Sequence, residues 1–432
     1  MPGQRPPSES TPLLKRKQPL GHAAPADGGT TLGQTTLNMI NCFIGAGILT
    51  VPFAFKLAGY GAVLALVVVA ALNWLTSLLL GHALTKATRL RPETPKAQMD
   101  LQALGLIAFG PLGQKFIAVL FALELWFALE TFILLTSINV QILTGLPRSL
   151  LIVAAGALGT LSLSLPMSVI SQFSGLSVWC MLGGLAALIA CGHMASRPGI
   201  EHRMLDAKAL PSAMGMFLYC FSGLPCLPNI RAAMKAPERH YSNAVHLSFA
   251  FAVVYYALVG LLGYHYFAEG TRESFTENLV PAPGMVNHGT FVAFSLCSAA
   301  LFAVKLQAGF PLYAAPVLQT LGFGGEGAGH TALHIGLARA TFAVVSISFA
   351  VFAKDALDGV AELMGAFLTM STSVLFPVAA YAFVRRRAGP PLLLWQAIGL
   401  AAIFITGVAL GAWGTVDAVR RIWVEERHAG HF

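Results

Sequence analysis

The stretch TTLNMINCFIGAGILTVPFAFKLAGYG, residues 35–61, decides the fold class. It is apolar and long enough to cross a bilayer core, which takes a helix of about 20 residues. Gly45-Ala46-Gly47 stands in its middle, and Pro52 follows five residues later. Because Gly weakens a helix and Pro removes a backbone donor, the pattern predicts a membrane helix that unwinds near its centre.

A second apolar stretch, AMGMFLYCFSGLPCLPNIRAAMKAPE at residues 213–238, is interrupted in the same way. Ser222-Gly223 precede Pro225 and Pro228. In lipid, freed backbone groups are tolerated only where they face protein or a cavity. Two such helices in corresponding positions indicate an inverted-repeat transporter whose broken helices meet at the midplane, with free amides for a carboxylate and free carbonyls for a cation. Close packing by glycine is the alternative explanation for either stretch taken alone.

The composition places the chain in a membrane. Of the 432 residues, 56% are hydrophobic and 11% are charged, whereas a soluble domain carries about 25% charged residues. Eleven apolar spans are predicted, near 31–57, 60–85, 116–143, 149–166, 174–193, 210–233, 244–267, 289–318, 333–353, 357–384 and 392–415. With spans one and six broken, this is an all-α protein in which spans one to five and six to ten form a 5+5 inverted repeat.

The basic residues set the orientation. A cytosolic N-terminus places sixteen Lys and Arg on the cytosolic side and ten on the other, which favours that orientation. The net charge of +8 is therefore explained by topology, and nucleic acid is not predicted as a partner. Residues 99–113, MDLQALGLIAFGPLG, are amphipathic and too short to span, so they predict an interfacial helix on the cytosolic face.

The ends of the chain flank a transmembrane domain at residues 30–418. Residues 1–29 are rich in Pro, Gly and Ser and predict a disordered cytosolic tail, and residues 419–432 predict a short C-terminal tail. The N-terminal tail has no signal-peptide apolar core, so the first helix is expected to serve as the insertion signal. Glu9, followed four and five residues later by Leu13 and Leu14, resembles the acidic dileucine signal that clathrin adaptors read. The resemblance implies a lysosomal, vacuolar or related endosomal membrane.

Four blocks together resemble the amino acid/auxin permease family, which has the LeuT-type fold. They are TLNMINCFIGAGILTVPFAFKLAGYG at 36–61, LPMSVISQFSGLS at 165–177, FSGLPCLPNIRAAMKAPERH at 221–240 and LGYHYFAEGTRESFTENL at 262–279. The blocks resemble the vacuolar and vesicular branch of the family most, although the first block also looks like the sodium-coupled neutral amino acid branch. His240 departs from the family pattern, because an aromatic residue usually stands there.

The resemblance implies secondary active transport of amino acids, driven by a proton or sodium gradient. It implies a substrate site lined by Asn41, Ile44, Gly45, Ala46 and Gly47 in span one and by Phe221, Ser222 and Gly223 in span six. In the sodium-coupled branch, the asparagine that matches Asn41 and a Thr in span eight hold the ion. That Thr is missing from Phe302-Ala303-Val304-Lys305, which favours protons. Symport and antiport both stay open, as does the identity of the amino acids.

Charged residues inside the apolar spans point to the coupling ion. Glu124 and Glu130 fall in span three and Lys305 in span eight, where a central charge costs about 2.5–3.5 kcal/mol or more and therefore faces a cavity or a partner. Glu124 is the predicted proton carrier, and Lys305 is predicted to occupy the region that sodium holds in relatives. The alternatives are a structural hydrogen bond for Glu124 and snorkelling toward an interface for Lys305. Glu130 points to a different face of its helix and is more simply structural.

Other classes of function find little support in the sequence. No catalytic pair is evident, neither two Asp in facing spans nor His-Glu-x-x-His, so no enzyme activity is predicted. The six cysteines show no clustering typical of a metal site, so no metal, cofactor or required disulfide is predicted. A sensor that binds amino acids with little flux is a further alternative, but it is expected to need a longer folded tail.

Overall fold

The computed structural model describes residues 29–95, 98–164, 176–195, 201–280, 288–323, 332–388 and 392–428. Within these ranges the regular elements are helices, and an isolated bridge joins Thr30 to Met234. The sorting residues Glu9, Leu13 and Leu14 lie outside the described residues.

The helices follow the predicted spans. They run over Leu32–Phe43 and Val51–Ala58 in span one, Ala62–Leu90 in span two, Leu101–Thr144 up to the end of span three, Arg148–Ser162 in span four, Leu176–Ala195 in span five, Leu210–Cys220 and Leu227–Ala232 in span six, Pro237–Phe267 in span seven, Phe275–Asn278 in the following loop, His288–Thr320 in span eight, Ala332–Phe352 in span nine, Leu357–Leu363, Met364–Leu375 and Phe376–Ala388 in span ten, and Leu394–His428 in span eleven.

Each of the eleven predicted spans holds a described helix. By length and composition alone, eight helical stretches in the described part of the chain are long and apolar enough to cross a membrane. Two shorter apolar helices, Arg148–Ser162 and Trp179–Ala195, occupy spans four and five. The last helix runs on to His428, beyond the apolar span predicted to end near residue 415.

Capping groups fix several helix ends. Thr31 and Gln34 form a capping box at the start of span one, and the Asp100 carboxylate accepts a hydrogen bond from the Ala103 amide at 2.9 Å. Both satisfy amides that have no partner within the helix. Gly145, at φ +68°, ends span three in the left-handed conformation that glycine adopts without strain.

Span one is interrupted where the glycines predict it. The first helix ends at Phe43, and Ile44 (φ −88°, ψ 70°) and Gly45 (φ −91°, ψ −139°) are not helical. A short 3₁₀ helix, Ala46–Leu49, then leads into Val51–Ala58. Pro52 lies in the first turn of that helix, where its missing N–H costs no hydrogen bond.

Span six is interrupted at the corresponding place. Its first helix ends at Cys220, a turn covers residues 221–223, and a 3₁₀ helix, Leu224–Cys226, precedes the second helix. Pro225 and Pro228 each stand at the start of one of these short segments. The predicted breaks in spans one and six are therefore confirmed.

The predicted interfacial helix is a separate segment that joins span three through a sharp kink. Gly110 has φ +78° and ψ −167° inside the continuous run Leu101–Thr144, and Pro111 follows it. A Cβ added to Gly113 would lie 2.9 Å from the carbonyl oxygen of Gly105, so the chain folds closely on itself here. Glycine at position 110 permits this backbone direction, which other residues rarely adopt.

Span ten contains wide helical turns that the sequence pattern does not predict. Met364–Leu375 is a π-helix between two α-helical segments. Such segments are rare and occur mostly at functional sites. Their position matters here because two hydroxyl side chains of this segment reach the centre of the bundle.

Loop contacts define two faces of the bundle. On the first, called the N-terminal face, the Thr30 amide donates to the Ala233 carbonyl at 2.8 Å. On the second, called the opposite face, Lys56 Nζ donates to the Thr271 carbonyl at 2.9 Å and the Tyr60 amide donates to the Arg203 carbonyl at 3.1 Å. Spans one and six each run between these faces, so both breaks lie between them.

Candidate substrate and ion site

The two breaks touch each other. A Cβ added to Gly47 would lie 2.9 Å from Cys220 Cα, and one added to Gly223 would lie 2.5 Å from the carbonyl oxygen of Cys42. The thiol of Cys42 donates to the Gly223 carbonyl at 3.2 Å. Glycine is needed at positions 47 and 223 because no side chain fits between the two backbones.

A tyrosine of span seven joins the broken ends. The hydroxyl of Tyr256, fully buried, lies 2.6 Å from the carbonyl oxygen of Phe43 and 3.0 Å from that of Cys220. Both carbonyls belong to the last turns before the breaks, where no helical amide satisfies them. One phenol therefore stabilises the unwound ends of spans one and six together.

Replacing Tyr256 by Phe is expected to lower stability and to impair transport. The change removes the donor that the buried Cys220 carbonyl has among the described residues, which costs about 1–3 kcal/mol, while the Phe43 carbonyl still accepts a hydrogen bond from the Gly45 amide at 3.0 Å. Tyr255→Phe is the matched control, because the Tyr255 hydroxyl donates to the Met181 carbonyl at 2.6 Å, away from both breaks. The temperature of thermal unfolding in detergent should fall for both variants, while the rate of amino acid uptake should fall only for Tyr256→Phe. Equal uptake by the two variants contradicts this role.

Lys305 reaches the break in span one. Its Nζ donates to the Ile44 carbonyl at 3.1 Å. This carbonyl precedes Gly45. A Cβ added to Gly45 would meet no atom within 4 Å, so the space beside it is open. In the same span, the side-chain oxygen of Asn41 is buried and has no hydrogen-bond partner in the part of the chain that the structure describes. An ammonium group, a free carbonyl-type oxygen and an open volume therefore occur within one short stretch of backbone.

Glu124 lies on the other side of the site, between spans three and ten. Its carboxyl group is 1% exposed. Thr369 Oγ1 donates to one oxygen at 2.9 Å and Thr372 Oγ1 donates to the other at 2.7 Å. Both threonines belong to the π-helix, whose wide turns bring them to the same carboxyl group. No ion pair joins Glu124 to Lys305 among the described residues.

Further polar groups surround Glu124. The thiols of Cys42 and Cys226 lie within hydrogen-bonding reach of each other, and both are close enough to Glu124 to interact electrostatically with it. Tyr313 of span eight interacts with the same three groups. Sequence reasoning missed these residues and the two threonines, because cysteine, tyrosine and threonine in apolar helices usually serve packing. Only their convergence in space distinguishes them.

Comparison with known proteins identifies the family. Residues 28–420 match the sequence profile of the family described as transmembrane amino acid transporter protein. The chain belongs to this family. This match confirms the predicted resemblance of the chain to the amino acid/auxin permease family. The family consists of transporters rather than enzymes.

Named relatives agree with this assignment. The transporter is 26% identical to amino acid transporter AVT1C of Arabidopsis thaliana, an alignment that covers 93% of this chain and 72% of the relative. It is 28% identical to amino acid transporter AVT1D of the same plant, over 91% of this chain and 70% of the relative.

Solved structures confirm the fold. The inward-facing conformation of Mhp1 superimposes with a TM-score of 0.60 at 14% identity, over 93% of this chain and 94% of that one. At this identity the likeness speaks to the fold alone. The predicted LeuT-type architecture is thus correct.

Other predicted site residues of the transporter lie at or near the breaks. Ala46 and Gly47 are buried in the 3₁₀ turn after the break in span one, and Ser222 is half-buried in the turn of span six. Phe221 is fully buried, and its ring stacks on Phe249 at 5.5 Å between centroids. The structure therefore gives the Phe221 ring a packing contact, while its backbone belongs to the break.

Glu130 is separated from this site. It is fully buried, and neither carboxylate oxygen has a hydrogen-bond partner within the described ranges. It lies against Ser346 of span nine, whose hydroxyl accepts a hydrogen bond from Trp126 Nε1 at 2.9 Å. Glu124 and Glu130 thus face different helices, as their spacing along span three predicts.

Proposed function

We propose that this transporter moves amino acids across a vacuolar or lysosomal-type membrane by alternating access, coupled to protons. One observation carries the proposal: the unwound segments of spans one and six meet, with Lys305 on one side of the meeting point and Glu124 on the other. A central site with free main-chain dipoles and two ionisable groups suits a zwitterion and a proton.

The substrate is proposed to bind at the two breaks. The first amides of the segment that begins at Ala46 have no helical partner, so they can hold the carboxylate of an amino acid. The carbonyls at Phe221 and Ser222 are proposed to receive its ammonium group. The open space beside Gly45 leaves room for the substrate, and Asn41 and Gly223 complete the lining.

The proton is proposed to bind Glu124. Burial removes the water that stabilises a carboxylate, and among the described residues two neutral hydroxyl groups donate to this one. A carboxyl group held in this way can alternate between neutral and charged forms as access to it changes. Thr369 and Thr372 tie each change to span ten.

Lys305 is proposed to serve as a tethered cation. Its ammonium group contacts the Ile44 carbonyl at the break, in the region that a sodium ion holds in the sodium-coupled branch. A positive charge fixed there stabilises the unwound carbonyl without a diffusible ion. This arrangement supports protons as the coupling ion.

Sodium coupling at the plasma membrane is the second candidate function. The buried, unpartnered oxygen of Asn41 supports it, since an amide oxygen is a suitable ligand for a hard cation. Uptake of a panel of radiolabelled amino acids into proteoliposomes, with either a pH or a sodium gradient imposed, tests both candidates. We expect uptake driven by the pH gradient and unchanged when choline replaces sodium. Dependence on sodium contradicts proton coupling, and no uptake of any amino acid contradicts the proposed function.

The proposed vacuolar or lysosomal location depends on the N-terminal tail, which we propose to lie in the cytosol. Clathrin adaptors are proposed to read Glu9, Leu13 and Leu14 there. We expect the double variant Leu13→Ala and Leu14→Ala to move the protein to the plasma membrane, as seen by surface biotinylation. The matched control is Leu20→Ala, in the same tail but outside the motif. An unchanged location of the double variant contradicts adaptor sorting.

A further inference from the structure

A cluster of charged side chains lies at the opposite face, outside the central site. The start of span six, the start of span ten and the end of span eleven meet there, and they bring Ser212, Glu362, Asp417 and Arg421 together. We call these four residues the mouth cluster. The same face carries the Lys56–Thr271 contact.

The contacts of the mouth cluster link three helices. The Ser212 hydroxyl donates to Asp417 Oδ2. Arg421 Nε lies 3.4 Å from the same oxygen and 3.6 Å from Glu362 Oε2. Glu362 is 1% exposed, and its other oxygen, Oε1, is buried without a hydrogen-bond partner among the residues described. A charged carboxylate oxygen that no donor contacts is costly to bury, and a proton on the group lowers that cost because it removes the charge.

The cluster holds more negative than positive charge. Asp358, 3% exposed, stands one helical turn before Glu362 and accepts a hydrogen bond only from the Gly359 amide among the contacts described. Asp358, Asp417 and Arg421 are the charged groups that act on Glu362 in the described part of the chain, and Lys56 of span one acts on Asp358. Three carboxyl groups therefore surround one guanidinium group, and the single lysine lies further off.

Close backbone packing connects the mouth cluster to the central site. A Cβ added to Gly215 of span six would lie 2.9 Å from Glu362 Cγ. Directly after Glu362 begins the π-helix whose Thr369 and Thr372 hold Glu124. Span ten thus carries both Glu362 and the two threonines that bind Glu124, so a shift at its start can reach the groups that hold that carboxyl group.

We propose that the mouth cluster is a second proton-binding site, and that a proton bound there closes the mouth on the opposite face. With all three carboxyl groups ionised, repulsion among them separates the ends of spans six, ten and eleven. A proton on Glu362 removes one negative charge and lowers the repulsion, while Arg421 can still pair with Asp417, so the three ends close together. This role rests on the proposed function and adds to it how a proton from the opposite face closes the mouth.

The access of a thiol reagent to span six, one turn further into the bundle than the mouth cluster, tests the proposal without any substrate. Met216, 1% exposed, lies one turn below Ser212 in span six, and Met204, 71% exposed, lies in the loop before it. A membrane-impermeant maleimide is applied to the opposite face of reconstituted full-length Met216→Cys and Met204→Cys proteins. Labelling of the native cysteines is first subtracted. The labelling rate at position 216 is then divided by the labelling rate at position 204, which removes the effect of pH on the labelling reaction itself.

We expect this ratio to rise about threefold or more between about pH 5 and about pH 8 as the mouth opens. In Glu362→Gln, which cannot ionise, the ratio should stay at the low value throughout. Asp417→Asn should move the rise to lower pH than in the unmodified protein, because one repelling neighbour is gone and Arg421 is free to pair with Glu362. Glu362→Asp should keep a rise.

Controls separate this role from a structural one. Glu269→Gln removes an exposed carboxyl group on the same face, where it pairs with Arg203 at 3.3 Å, and should leave the rise unchanged. A ratio that does not change with pH in the unmodified protein overturns the proposal, as does a normal rise in Glu362→Gln. If Glu362→Gln does not fold, an Asp417→Asn midpoint equal to that of the unmodified protein overturns it. Failure of amino acid uptake alone affects the proposed function and leaves this labelling result standing.

Discussion

Glu124→Gln is expected to remove the dependence of uptake on a proton gradient. The amide keeps the size of the side chain and can still contact Thr369 and Thr372, but it carries no exchangeable charge. In proteoliposomes, uptake by the unmodified protein should increase as the pH falls on the side that supplies protons. In the variant, uptake driven by the gradient should fall to about a tenth or less, equivalent to about 1.4 kcal/mol, and the remainder should not vary with pH.

Glu130→Gln is the matched control for this experiment. Glu130 lies on the same helix and is equally buried, but it faces Ser346 rather than the central site. Its replacement should leave the pH profile in place. A Glu124→Gln profile that follows the unmodified protein at every pH excludes Glu124 as the proton carrier, and a flat Glu130→Gln profile assigns that role to Glu130.

Gly223→Ala is expected to abolish transport and to destabilise the protein. Its added methyl group would lie 2.5 Å from the Cys42 carbonyl oxygen and 2.8 Å from Cys42 Sγ, so the two broken helices must move apart. Overpacking of this kind costs about 1–3 kcal/mol. Thermal unfolding in detergent should occur at a lower temperature, and uptake should be lost because the two breaks no longer meet.

Two other glycines provide controls for the steric argument. A Cβ added to Gly45, in the same site, or to Gly399, in span eleven, meets no atom within 4 Å. Both alanine variants should therefore unfold at nearly the same temperature as the unmodified protein, and Gly399→Ala should also transport normally. Normal stability and uptake of Gly223→Ala contradict the described contact between spans one and six.

The sequence predicts the parts of this architecture that depend on local chemistry. Gly45-Ala46-Gly47 and the pair Pro225 and Pro228 weaken a helix when they stand in its interior, as they do in these two apolar blocks, so both interruptions could be located from the residue types. The apolar blocks likewise give the spans, since a bilayer core sets their length. Glu124 and Lys305 could be singled out because charges are costly inside such blocks.

The partners of these residues could not be predicted, because they come from distant parts of the chain. Thr369 and Thr372 lie 245 and 248 positions from Glu124, and nothing in their own surroundings marks them as donors to a carboxyl group. The π-helix that positions them has no simple sequence signature. Tyr256 and the mouth cluster were missed for the same reason: each residue is ordinary until the fold brings its partners to it.

The Tyr256 phenol has a mechanical consequence. It has one hydrogen for two carbonyl oxygens, which lie 2.6 and 3.0 Å away, so it can release one oxygen while it keeps hold of the other. Span seven is thereby tied through one side chain to the last turn before each break, at Phe43 in span one and at Cys220 in span six.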